Sequence, residues 1–192
     1  MPNTTATPSI LQDPGFLFWA PLGSVAPTNT VTGSVFTDAW PAAWINLGAT
    51  AEGSTLSYTT DVEPVRVAEL FDPIKYSTTD RSGSFGFALA DFTVANLKRV
   101  LNGGASVATG TTATTMTTYA PPDPGTEVRS MVGWESLDAT VRVVAYQCFQ
   151  GGSVDFAFRR APDMATIPAM FNMEKSLTNP LFRMFTAGVA RG

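Results

Sequence analysis

Asp61 and Glu63 stand two residues apart in a stretch that reads as extended chain. On a strand they share one face. Paired carboxylates of this kind serve glycoside hydrolysis or cation binding, and they equally describe two solvated acids at a strand end. The rest of the composition narrows the chemistry. There is no histidine and a single cysteine, Cys148. A Ser-His-Asp or Cys-His centre cannot be built within one chain, and zinc sites of the usual Cys/His kind are excluded with it. An intramolecular disulfide is impossible. Cys148 lies in the apolar run Val141 to Phe149 and reads as a buried strand thiol. Asp72, Asp80 and Asp91 are scattered, and Asp91 stands just ahead of a helix, where a capping acid belongs. No phosphate-loop, dinucleotide or nucleophile-elbow pattern is present. The expectation is a protein that is not an enzyme, with no catalytic, metal or cofactor-binding residues and no cofactor.

The elements around these residues are mostly strands. The clearest stretch is Arg81 to Gly104. It begins with alternation: Phe85, Phe87 and Leu89 point one way, and Ser84, Gly86, Ala88 and Ala90 the other. The period then changes, with Val94, Leu97 and Leu101 at helical spacing. Asn102-Gly103-Gly104 follows, where a left-handed C-cap belongs. Lys98 and Arg99 fall in the last turns of that helix, where cations suit the dipole. Strands are predicted over 16–20, 53–60, 63–70, 127–135, 140–149, 152–159 and 182–189. Gln150-Gly151-Gly152 is read as the turn of a hairpin joining two of them. In the last of that pair Val154, Phe156 and Phe158 share a face. Residues 74–77 read as a short extended piece, and 162–175 is ambiguous because Pro168 weakens a helix. The predicted core is Phe85, Phe87, Leu89, Val94, Leu97, Leu101, Val154, Phe156 and Phe158.

Two long loops remain, 21–52 and 103–126, with strand character at 116–119. The first is rich in Gly, Pro, Thr and Ser yet carries Phe36, Trp40, Trp44, Ile45 and Leu47. So many apolar side chains argue against disorder. They are expected to cover a neighbouring subunit, because Trp40 and Trp44 have little local sequence to bury them. Residues 1–15 read as a flexible arm closed by Asp13-Pro14-Gly15, and 16–192 as one domain.

Over 192 residues the hydrophobic content is 44%, the charged content 15% and the net charge −4. That excludes a disordered chain and disfavours tight nucleic-acid binding, which needs clustered Lys and Arg. The low charge hints at a surface partly covered by assembly. The first residues carry neither a basic region nor an apolar signal core, and no window approaches a membrane span.

Three stretches, in order, carry a family resemblance. They are Trp44-Ile45-Asn46-Leu47-Gly48-Ala49-Thr50-Ala51-Glu52-Gly53, the strand and helix ending in Leu101-Asn102-Gly103-Gly104, and Val132-Gly133-Trp134-Glu135 through Gly151-Gly152 to Arg159-Arg160 and Ile167-Pro168. Together they resemble the major tail proteins, or tail tube subunits, of long-tailed bacteriophages, especially those infecting actinobacteria. The resemblance spans roughly residues 44–190.

It implies a mainly β fold, a β-sandwich or barrel with one flanking α-helix and long loops. It also implies a virion structural protein whose hexameric rings stack into a tube. One sheet per subunit would contribute to a continuous inner barrel. The implied partners are further copies of the chain, the tape measure protein, and the tail terminator and distal tail proteins. DNA would cross the lumen without sequence-specific binding, no membrane would be involved, and assembly would take place in the host cytoplasm. Two other readings compete: a tail terminator or head-tail connector ring of similar fold, and a glycan- or protein-binding sandwich module using Trp40 and Trp44 as its platform.

Overall fold

The computed structural model describes residues 15–68, 71–111, 114–156 and 165–188. The predicted arm over 1–15 lies outside these residues except for Gly15, and Phe158 lies outside them too.

The fold is mainly β with one short helix. Its strands are β1 (Gly15–Pro21), β2 (Val31–Thr32), β3 (Val35–Phe36), β4 (Ile45–Asn46), β5 (Thr50–Val65) and β6 (Lys75–Leu89), then β7 (Ala105–Thr111), β8 (Thr114–Ala120), β9 (Ser130–Ser136), β10 (Val141–Gln150), β11 (Ile167–Met173) and β12 (Phe182–Thr186). The helix α1 (Val94–Val100) follows β6. One sheet has the order β4-β1-β9-β10-β11-β6-β5, with β12 pairing β10 beyond the end of β11. Pairs β2-β3 and β7-β8 stand apart from it. Leu17 of β1 and Val132 of β9 share one buried cluster with Phe85, Phe87 and Leu89 of β6. Strands from the two ends of one sheet therefore line a common core, which is the sandwich. The sheet does not close into a barrel.

Phe85, Phe87 and Leu89 are buried at β6, and the alternate residues Ser84, Gly86 and Ala88 are half-buried. Val154 and Phe156 pack on the same cluster. The helix departs from its predicted stripe. Asn96 and Val100 are its buried positions, Leu97 is partly buried against the core, and Val94 and Leu101 are half-exposed. The cause is a polar contact: the Asn96 side chain donates to the Leu47 carbonyl at 3.1 Å and to the Asp91 carbonyl at 3.1 Å, which rotates the helix toward that residue. Thr93, not Asp91, is the N-cap, with its hydroxyl accepting from Asn96 N–H at 3.2 Å.

Several predicted boundaries are corrected. Residues 53–60 and 63–70 are not two strands around a turn. Thr50–Val65 is one strand, and it pairs with a β6 that begins at Lys75, so the piece at 74–77 belongs to the same ribbon. The loop 103–126 contains the β7-β8 hairpin, whose Thr-rich alternation carries too little apolar signal to announce it. Residues 151–156 form no strand, and 157–164 lie outside the described residues. The hairpin partner expected there is replaced by β11, which pairs β10 through Cys148↔Met173 and Gln150↔Phe171. Pro168 sits in β11 where β10 has already ended, so its missing N–H leaves no ladder bond unmade. Two positions along on the same side, Met170 N–H donates to the Gln150 side chain at 2.7 Å.

Candidate functional site

The aromatic segment after β1 folds onto its own subunit. Phe36 is 6% exposed, Trp44 6% and Leu47 1%. Phe18 stacks on Trp40 at 4.3 Å between ring centroids, and Trp40 meets Trp44 edge-on at 4.8 Å. The Trp44 indole N–H donates to the Val25 carbonyl at 2.7 Å. Trp44 packs with Ala20, Met131, Val144 and Tyr146 as a second small core on the other face of the sheet. The expectation that these side chains reach a neighbour is therefore corrected for the buried Phe36, Trp44 and Leu47. Trp40 is half-buried, and Ile45, 39% exposed, lies at the surface. The rings find cover in long-range partners, which local sequence does not display.

Gly133 makes this packing possible. A Cβ there would collide with the Trp40 ring and touch Trp44.

The anchor of the segment is Arg142, only 2% exposed. Its guanidinium donates to Asp38 Oδ1 at 3.2 Å, to the Asp38 carbonyl at 2.6 Å and to Glu135 Oε2 at 3.0 Å. It lies 4.8 Å from the Phe36 ring centroid. Trp40 Nε1 donates to the same Glu135 carboxylate. Asp38 in turn accepts from Thr28 Oγ1 and the Asn29 and Thr30 N–H groups, organising the loop ahead of it. Burial pushes the Asp38 carboxyl up, but the Thr28 and backbone hydrogen bonds and the Arg142 charge outweigh it, and the net direction is down. Sequence reasoning missed this centre. Its one visible signal is an arginine inside an otherwise apolar strand.

The candidate catalytic pair has no such enclosure. Asp61 and Glu63 are exposed on β5, and Asp61 lies directly opposite Asp80 of β6. No cleft of the described residues encloses the pair, so nothing there would hold a substrate between the two carboxylates. Cys148 is fully buried, and desolvation pushes its thiol up to about 12, which removes its nucleophilic form. Among the described residues, no group of three or more His, Cys, Asp or Glu side chains is placed to hold a metal ion. No described helix is long and apolar enough to cross a membrane.

What the surface does offer is apolar. Beyond Leu56 and Phe85, strands β5 and β6 continue as a two-stranded ribbon. One of its faces carries Tyr58 (50% exposed), Val62 (52%) and Tyr76 (66%). The opposite face carries Ser57, Thr59, Asp61, Glu63, Ser77 and Asp80. The turn beyond it bears Phe71, 98% exposed, and Ile74, 54% exposed. An amphipathic ribbon of two strands is marginal in water without cover.

A sequence model of phage tail tube proteins matches residues 6–159. The chain belongs to the phage tail tube protein family. No curated protein matches it. As a tail tube protein it is a structural component of the virion tail and not an enzyme.

Proposed function

We propose that this chain forms six-membered rings that stack into the DNA-conducting tube of a long-tailed phage, assembled in the host cytoplasm. The carrying observation is the β5-β6 ribbon: Tyr58 meets only the edge of Phe182, and Val62 and Tyr76 beyond it stay more than half exposed on its own subunit. Free edges add to it: β5 ends the sheet on one side, and the two-residue β4 pairs only Phe18 and Trp19 of β1 on the other. Unpaired edges of that length are satisfied when copies adjoin. In this reading the tape measure protein fills the lumen before ejection, and tail terminator and distal tail proteins close the two ends.

Electron microscopy of the purified protein tests the reading. Tubes of stacked rings are the expected result. Rings that never stack would favour the terminator or connector reading, and a persistent monomer at all concentrations and salts would overturn assembly altogether. The glycan-binding alternative loses its platform, because Trp44 is buried and Trp40 is stacked on Phe18.

A further inference from the structure

The ribbon turn and helix α1 lie at opposite ends of β6, since that strand starts at Lys75 and ends at Leu89, just before the helix. Fifteen residues of strand span about 50 Å. Beside α1 is an open cleft of about 530 Å³ between the helix, the β7-β8 hairpin and β4. Trp19, Ile45, Val94 and Val128 give it apolar walls, and Lys98 and Arg99 supply positive charge. Arg99 donates to Asn96 Oδ1 at 2.9 Å, whereas Lys98 has no ion-pair partner among the described residues. At the other end the turn presents Phe71 beside exposed Asp72, and the Arg66 guanidinium steadies it by donating to the Phe71 carbonyl at 3.0 Å.

We propose that the Phe71 ring of one copy docks in this cleft of a second copy, with Asp72 facing Lys98 and Arg99. The inference rests on the self-assembly reading above and names its contact. An exposed aromatic flanked by an acid matches an apolar cleft flanked by cations in both character and sign. Donor and acceptor lie at opposite ends of one subunit, so the contact is head-to-tail. Each docked copy offers a fresh cleft, and a contact of this kind propagates without limit unless it closes into a ring.

The test uses the full chain. Phe71→Cys and Val94→Cys variants are mixed, assembled and oxidised. Cys148, being buried, does not compete. A disulfide-linked dimer joining positions 71 and 94 is expected, together with a critical concentration for Phe71→Ala raised roughly tenfold or more. Phe71 is exposed, so its loss leaves the thermal melt of the monomer unchanged. Tubes of mixed variants in which Phe71→Cys links instead to Thr178→Cys, in the cleft by β12, would overturn the proposal while leaving self-assembly intact. So would Phe71→Ala assembling as readily as wild type. Failure of wild-type protein to assemble at all would overturn both.

Discussion

Arg142 shows how a single side chain decides where a long segment goes. Its charge is buried between Asp38 and Glu135, and its flat face lies on Phe36 and Trp40. Removing one partner of such a group strands the other charges in a dry site, at about 3–5 kcal/mol. Arg142→Ala is therefore expected to lower the stability from denaturant unfolding by about that much and to expose Trp40 and Trp44 fluorescence to water. Asp38 sets the pH response. Its folded-state value lies below the ordinary 3.8, so its stabilisation is complete above that value and is lost as pH falls through the lower folded one. Asp38→Asn should flatten the acid limb of the stability curve while lowering stability at neutral pH, and unfolding series across acid pH check it. Apart from an arginine in an apolar strand, none of this is legible in the sequence, where Asp38 and Arg142 are 104 residues apart.

At the scale of elements, what the sequence shows depends on whether the signal is local. The β6 alternation and the Asn102-Gly103 cap are local, and both are present. Asn102 adopts a φ of 58°, and Gly103 N–H donates to the Lys98 carbonyl at 2.8 Å, the bond that closes a Schellman turn. What the cap residue does next is not local. The Asn102 side chain accepts from Gln150 N–H at 2.9 Å and donates to the Gln150 carbonyl at 2.9 Å, acting as one more ladder rung at the end of β10. This explains an asparagine where glycine would serve the turn alone. Asn102→Gly should keep the helix and still lose about 1–3 kcal/mol in chemical denaturation, because two buried peptide groups lose their partners. Equal stability of the two proteins would reduce Asn102 to a turn residue. The β5-β6 ribbon is less local: a register shift between Asp61 and Val62 carries the chain through the expected break between 60 and 63, and the strand continues to Val65.

For the whole molecule, the open question is which face of the sheet lines the tube. The row Ser84, Gly86 and Ala88 points away from the core, beside Thr55 and Ser57 of β5 and Pro168, Met170 and Asn172 of β11. None of these side chains is charged, and all but Met170, a bulky apolar group 53% exposed, are small or polar. Farther along the same face come Asp61, Glu63 and Asp80, with Lys75 the cation among them. A surface neutral to acidic, with little bulk, gives a polyanion nothing to hold, which is what a conduit for DNA requires. On the tube reading proposed above, this is the face expected to look into the lumen. Every copy in the tube repeats it, so a single substitution acts along the whole length. Ser84→Lys should leave tubes intact by electron microscopy, because the position makes no core contact, and should slow DNA release from assembled virions. Each phosphate the new lysines neutralise adds about one unit to the log-log salt slope of binding, so raising salt should restore the rate. An unchanged release rate at low salt would put the Ser84 row on the outside of the tube.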